Sequence, residues 1–366
     1  MATRTPRRTR RSVRAMSNRP NRFKQVQKRI RREKEGKLPL FWYGGRDILT
    51  KENWKALIDR YNPKDLMETM DKIEEKARLK GSGVPIPETY MIVETEEDLE
   101  RFQMWVHGSN GSFVIKPAKG HGGAGILVVN KRVAKRYILT SGKGVEDGYL
   151  IRHAKRIIDG IYTKKEPDRA LVEERLVISR KLRELQTPGL LDIRIVAFKG
   201  FPIMAMTRLP TKMSGGKANI HQGAIGAGIS ISEGRIISAT YLRKNIKRHP
   251  TSGKALIGFK FNMWEDILEV AAEAAGSMGL GFVGVDLTLA EGRGVVVLEV
   301  NKRPGLEIQN ANGAGMKRRI KWVQSFVRKN RIDHTVMGPG LKAELSRTWD
   351  AAGWKKVPPV GGTEEE

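Results

Sequence analysis

The chain has 366 residues, 39% of them hydrophobic, no cysteine and a formal net charge of +28. That length and apolar content suffice for a buried core in two or three domains, and no apolar run approaches the roughly 18 residues that span a bilayer. The absence of cysteine excludes disulfides, thiolate nucleophiles and cysteine-based zinc sites, and the six histidines show no H-x-x-x-H spacing, so a soluble protein of a reducing, cytoplasmic compartment is expected.

The charge is unevenly spread. Residues 1–37 hold fifteen Lys and Arg against only Glu33 and Glu35. With no apolar periodicity this segment cannot bury enough surface to fold alone, and it is expected to be a disordered basic tail. It suits a weak contact with a polyanion such as RNA or the ribosome, a solubilising extension, or an organelle transit segment. Residues 38–62 read as a linker with a short helix. Leu66, Met70, Ile73 and Ala77 recur at helical spacing and predict one helix from about Pro63 to Lys80, stopped by Gly81. "TYMIV" predicts a strand, and Thr95 with Asp98 a capping box that opens a helix through Leu99, Phe102 and Val106. The strand "SFVIKP" then enters a glycine-rich stretch, and "GILVV" leaves it as another strand. Residues 134–168 carry no readable role, and residues 336–366, ending in "VPPVGGTEEE", read as a C-terminal tail.

Gly120-His121-Gly122-Gly123-Ala124-Gly125 fits G-x-G-x-x-G. A dinucleotide fingerprint needs a helix after the loop, to set its N-terminus against pyrophosphate, and here a strand follows. A Walker A loop fails because Lys116 precedes the glycines, and a protein kinase fails for want of H-R-D and D-F-G. A hairpin loop over phosphates remains, with glycines admitting backbone N–H groups and with Lys116 and Lys119 supplying charge.

Downstream, "GFVGVDLTLAEGRGVVVLEVNKRPGLE" reads as two strands about a turn at Gly292-Arg293. This sets Asp286 opposite Glu299, with Asn301 two residues along the same face. Two facing carboxylates with no cation between them repel, and oxygen ligands of these types suit Mg²⁺ or Mn²⁺. Removing either carboxylate is therefore expected to spare or slightly stabilise the metal-free protein.

The order of a "DK" helix, the glycine hairpin after "VIKP", the acidic "LVEERL" and the strand "D…LEVN…PG" resembles the ATP-grasp superfamily. "LDIRIVAF", "NIHQGA" and "LEVNKRPGLE" are similar to the RimK-like α-L-glutamate ligases. The resemblance runs from about Asp71 to Leu306. It implies an α+β fold of two subdomains, residues 63–172 and 173–335, sandwiching ATP between antiparallel sheets. It assigns Lys72 and Lys116 to the nucleotide phosphates, Gly120, His121, Gly122, Gly123 and Gly125 to the loop above them, and Glu173 with the Leu176 backbone to the adenine edge. Asp286, Glu299 and Asn301 match metal ligands, while Arg194, Arg208, Asn219 and His221 match positions near the γ-phosphate or substrate. The implied activity is ATP-dependent carboxylate–amine ligation through an acyl phosphate. The expected donor is glutamate and the expected acceptor an acidic small molecule, peptide or protein. Arg208, Lys212 and Lys217, in a stretch without acids, favour an anionic substrate. A nucleic-acid binder with a vestigial nucleotide site and a phosphotransferase are the other readings. Two departures stand out: residues 38–62 are too short for the α/β domain that usually precedes this fold, and Arg303 replaces a small residue of the RimK pattern.

Overall fold

The computed structural model describes residues 47–353 apart from 121, 164, 186–188 and 332. The basic segment 1–37, His121 and "VPPVGGTEEE" lie outside the described residues. Among these, two antiparallel sheets with helices packed on them give an α+β architecture.

The first sheet has the order β1-β6-β2-β3-β4-β5: β1 Thr89–Val93, β2 Phe113–Pro117, β3 Leu127–Val133, β4 Arg136–Leu139, β5 Gly144–Val145 and β6 Ala170–Glu174. Strand β2 shows why it is covered on one face only. Phe113, Ile115 and Pro117 are buried and the alternate residues Val114 and Lys116 are half-buried, the period of two of a pleated strand. The buried face packs on α4 (Glu96–Gly108) and α5 (Asp147–Ile158) through Leu99, Phe102, Val106, Leu150 and Ala154. Helix α4 opens with the expected capping box, Thr95 and Asp98 each bonding the other's backbone. The unassigned stretch 134–168 thus supplies β4, β5 and α5.

The second sheet has the order β11-β10-β9-β8-β7-β12-β13. It comprises β7 Asp192–Phe198, β8 Phe201–Leu209, β9 Ile225–Ile229, β10 Ile236–Tyr241, β11 Lys244–Asn245, β12 Phe282–Ala290 and β13 Gly294–Asn301. Strands β7, β9 and β12 are buried throughout because both faces are covered. Helix α6 (Trp264–Ser277) closes one face with Ile267, Leu268, Ala271 and Ala274. On the other face lie α1 (Lys51–Tyr61), α7 (Glu307–Asn312) and α8 (Lys317–Lys329), with Leu57, Ile308, Ala311, Val323 and Phe326. Helix α7 comes so close that a Cβ on Gly228 would lie 2.5 Å from the Ala311 carbonyl oxygen, which only glycine at that strand position allows.

Three sequence expectations change. The single helix over 63–80 is two, α2 (Lys64–Thr69) and α3 (Lys72–Gly81), because Asp71 turns extended and caps α3, accepting from Ile73 N at 2.9 Å and Glu74 N at 3.2 Å. Both helices belong to the second lobe: Met70, Leu79 and Val84 lie in its core, and Val300 N donates to Glu75 Oε1 at 2.8 Å. The first lobe therefore starts near Glu88 and not at residue 63. Finally, the expected tail from 336 contains α9 (Pro339–Ala351), whose Trp349 is fully buried against Phe201, Trp322 and Phe326.

Replacing Trp349 by Ala in a packed aromatic cluster is expected to lower the unfolding free energy by about 3–5 kcal/mol. A urea midpoint unchanged from wild type would show that α9 is dispensable to the core.

Candidate active site

The alternation of β2 turns Lys116 away from the first lobe's core and towards the second sheet. Its ammonium lies 2.8 Å from Glu173 Oε2, while Glu173 Oε1 lies 3.0 Å from Lys76 Nζ, off the line of a hydrogen bond. Lys76 is itself buried, which depresses its pKa, and it donates to the Pro87 carbonyl at 3.0 Å. Glu173, expected at the adenine edge, is thus held between two lysines. Leu176 follows β6 in the half-buried segment that crosses to the second sheet. Lys72, in the first turn of α3, donates to the Gly120 carbonyl at 2.5 Å.

The glycine loop joins strand β2 to strand β3, as the sequence implied. Its base is tied down where Lys119 N reaches both Asp168 carboxylate oxygens at 3.1 Å. Its far end is held by His153, whose Nε2 lies 2.8 Å from the Gly125 carbonyl and must be the donor, since a carbonyl oxygen only accepts; burial lowers the His153 pKa. Gly125 has φ +74°, and a Cβ there would lie 2.8 Å from the Tyr162 ring, so neither the conformation nor the space admits another residue. Between these anchors Gly122 and Gly123 have left-handed φ, and among the described residues nothing accepts from their N–H groups. The loop reaches the second lobe, where Gln222 Nε2 donates to the Gly122 carbonyl at 3.5 Å and Asn219 lies alongside. Asn219 Oδ1 caps the short turn Ile220–Gln222 by accepting from His221 N at 3.0 Å, and the His221 side chain is exposed.

In the second sheet Asp286 does pair with Glu299 across β12 and β13. The register is reached differently from the simple hairpin. Ala290 pairs with Gly294 around a three-residue turn, and a bulge between Asp286 and Leu287 shifts the partners by one before Glu299. On the other side of Asp286 stands Arg194 of β7, and one pair further along Asp192 faces Arg208 of β8. These four side chains form one buried cluster. Arg194 Nε and Nη2 donate to the two Asp286 oxygens at 2.6 Å each. Arg208 Nη2 donates to Asp286 Oδ2 at 2.6 Å, its Nε to Asp192 Oδ1 at 2.6 Å, and its Nη2 also pairs with Asp192 Oδ2. Burial works against ionised Asp286, but Arg194 and Arg208 prevail and hold it below the ordinary carboxylate range. Burial pushes Asp192 up to about 6; Arg208 opposes that rise and Asp286 adds to it.

The premise of a bare carboxylate pair is therefore corrected: two guanidiniums already neutralise Asp286. Glu299 is different. It is half-buried, and among the described residues no hydrogen bond or ion pair reaches its carboxylate. Beside it lies Glu75, 7% exposed, whose pKa burial and the Glu299 charge push up to about 8 against the Val300 N–H, Lys116 and Lys72. Asn301 Oδ1 accepts from Arg303 N at 2.9 Å. A half-buried carboxylate without a cation, next to an amide oxygen, fits a divalent ion at Glu299 and Asn301. Asp286, with both oxygens taken by arginine, fits it only as the carboxylate next to those ligands. No group of three or more His, Asp or Glu with metal-holding geometry occurs among the described residues.

Sequence reasoning missed Glu75, Lys76, Asp168, His153, Tyr162 and Asp192. Two signals were present: Glu75 and Lys76 follow Lys72 by three and four residues and so share its helix face, and Asp192 precedes Arg194 by two and so shares its strand face. For Asp168, His153 and Tyr162 the contacts are tertiary and no local pattern announces them.

Residues 52–325 match the family model of the sugar-transfer-associated ATP-grasp proteins. A 58-residue stretch is 45% identical to a probable alpha-L-glutamate ligase of Citrobacter koseri, covering 15% of this chain and 19% of that protein. Among solved structures, the ATP-grasp ligase PsnB complexed with a minimal precursor gives a TM-score of 0.40 at 15% identity, over 72% of this chain and 63% of the other. The D-alanine–D-alanine ligase of Bacillus anthracis complexed with ATP gives 0.38 at 14% identity, over 77% and 67%. The chain thus spans about a fifth of the curated relative it matches. No helix among the described residues is long and apolar enough to cross a membrane.

Two predictions separate the acids. Asp286→Asn strands two buried guanidiniums and is expected to cost about 3–5 kcal/mol of stability, whereas Glu299→Gln leaves stability unchanged or raised; equal urea midpoints for the two variants would contradict the cluster. Glu75 has a folded pKa of about 8, above its ordinary 4.5. Its contribution is fully present below pH 4.5, declines as pH rises from 4.5 to 8 and is level above that. Stability measured at pH 5.5 and 8.5 should therefore fall less in Glu75→Gln than in wild type; identical slopes would remove the buried acid from the account.

Proposed function

Since the chain belongs to the sugar-transfer-associated ATP-grasp family, we propose that it is an ATP-dependent carboxylate–amine ligase that joins glutamate to an acidic acceptor. The observation that carries the reading is the meeting of opposite charges around Glu75. Lys72, Lys116 and Glu299, the last with no ion pair among the described residues, all act on it electrostatically, and the glycine loop that Lys72 bonds reaches the second lobe.

In this reading Lys72, Lys116 and the free N–H groups of Gly122 and Gly123 bind the nucleotide phosphates. Glu299 and Asn301 would hold Mg²⁺, with Mn²⁺ suiting the same oxygens; the ion neutralises phosphate charge and so eases the approach of a carboxylate. Arg194 and Arg208 each keep Nη1 uncommitted while Nε and Nη2 bind acids, so the cluster presents oriented donors to the γ-phosphate or the acceptor carboxylate. The acceptor carboxylate oxygen attacks the γ-phosphorus, the bond to ADP breaks, and an acyl phosphate forms. The amine nitrogen then attacks the acyl carbon, phosphate leaves, and the nitrogen gives up its proton. Acyl phosphates hydrolyse, so the loop's role is to exclude water between these steps. His153 and Tyr162 fix one end of that loop, and Asn219 meets it opposite.

The arginine cluster moves the expected anion selectivity elsewhere. Arg208 is occupied by Asp192 and Asp286, whereas Lys212, Lys217 beside Gly123, and Arg303 have no acid partner among the described residues. These three are the proposed contacts of an acidic substrate, and the glutamate donor takes its support from the 58-residue likeness to a probable alpha-L-glutamate ligase.

The test is ADP release by the purified full chain with ATP, Mg²⁺ and a panel of amino acids and acidic peptides, with mass spectrometry of products. Amine-dependent release with a product of combined mass less water supports ligation; a stable phosphorylated product or no ATP turnover sinks it. Glu299→Gln should lose activity by at least about 100-fold, and Lys217→Glu with Arg303→Glu should shift preference from acidic to neutral acceptors. An unchanged preference would discard the acidic substrate and keep the ligase.

A further inference from the structure

At the opposite end of β7 from Arg194, an open cavity of about 450 Å³ lies where α1 ends, β7 turns into β8 and α8 passes. Arg60, Lys199, Lys321 and Arg328 line it, together with Tyr61 and Gln324, and no acid does. Among the described residues none of the four cations has an ion pair or a hydrogen bond from its charged group. In the active site Arg194, Arg208, Lys76 and Lys116 are each paired with a buried acid, whereas here four cations share one cavity that no acid lines. Basic residues in the last turn of a helix are favoured by its dipole, which accounts for Arg60 and Arg328. It does not account for Lys199 or Lys321.

Lys199 carries a second mark. It occupies the first of the two turn positions between Phe198 and Phe201, with φ +52°, and Gly200 follows with φ +77°. A two-residue hairpin with both φ positive is the type I′ pattern, for which Asn-Gly is the favoured sequence; lysine there holds a strained backbone. Strain of this kind at a residue that faces a cavity points to use of its side chain. Two of the cations share one ring: the Lys199 ammonium stands 5.6 Å and the Arg60 guanidinium 5.5 Å from the Tyr61 ring centre. Tyr61 in turn packs edge-on against Phe198 at 4.9 Å and is bonded through its hydroxyl by Gln324 at 2.9 Å.

We propose that this cavity binds a compact ligand bearing two adjacent phosphates, at a site separate from the active-site cleft. Four converging positive charges repel one another until an anion enters. Each phosphate group brings about −1.5 to −2 charges near neutral pH, so two of them match four cations where one leaves excess. The two guanidiniums offer planar forks to phosphate oxygens and the two ammonium groups offer point charges. The volume lies within the roughly 300–1,000 Å³ of small-molecule sites and favours a compact ligand over a nucleic-acid strand, which needs an extended track.

The test is calorimetric titration of the full chain with sodium pyrophosphate at about 0.15 M ionic strength, a salt level that screens diffuse surface attraction. One saturable site is expected, weakened at least 10-fold in Lys321→Gln/Arg328→Gln and retained in Lys116→Met. Lys199→Asn, which installs the favoured Asn-Gly turn, should raise the unfolding midpoint while weakening binding several-fold; a merely structural lysine would not move the two in opposite directions. Uridine diphosphate binding more tightly than pyrophosphate assigns the site to a diphosphate ester, and the reverse order to the free ion. Absence of saturable binding, loss in Lys116→Met with retention in the cavity variant, or tighter retention of a 20-nucleotide RNA lost in the same cavity variant overturns the proposal.

Discussion

The second lobe is organised around a charge problem solved inside a sheet. Asp286 and Asp192 sit on neighbouring central strands, buried, and are acceptable there only because Arg194 and Arg208 lie directly across from them. Buried ion pairs gain little over apolar packing, but losing one member is severe. The cluster therefore fixes strand register: a slip of one residue would turn these charges into the apolar layer under α6 and bring Ile193, Ile195, Val285 and Leu287 to the cleft. The same cluster takes up both arginines, and Glu299 across from Asp286 has no ion pair among the described residues.

Much of this was legible because it is local. The capping box at Thr95, the strand–loop–strand at the glycines and the facing of Asp286 and Glu299 all follow from short-range spacing, and the structure shows each. The helix break at Asp71 was misread because apolar periodicity ran through it, while the Asp side chain offered its own N–H acceptors and won. The state of Asp286 was not legible, since its partner Arg194 lies 92 residues away and only the sheet order makes them neighbours. The facing pair was read correctly and its charge balance incorrectly, because one side of a strand cannot be balanced without knowing the strand on the other side.

Basic charge is used in three distinct ways. Arg194, Arg208, Lys76 and Lys116 are committed to buried acids and specify geometry. Lys72 donates to backbone carbonyls and ties α3 to the glycine loop. Lys212, Lys217 and Arg303, and the four cations lining the outer cavity, have no acid partner among the described residues. Net charge alone cannot separate these uses; partner identity can.

The first lobe leaves the second at Glu88 and returns at Glu174, and these two residues are joined by a hydrogen bond from Glu174 N to Glu88 O at 2.9 Å. In topological terms the glycine loop and its sheet are a single insertion with touching ends, pinned by Arg293, which reaches both Glu174 and the Ile86 carbonyl. Lys72 and Glu75 stay with the host and Lys116 travels with the insert. The two lysines therefore belong to different bodies that the chain joins at only two crossings, so the distance between them is set by how insert and host pack, through Lys72 on the Gly120 carbonyl, Lys76 beside Glu173 and Arg169 on Asp71, and not by the chain itself.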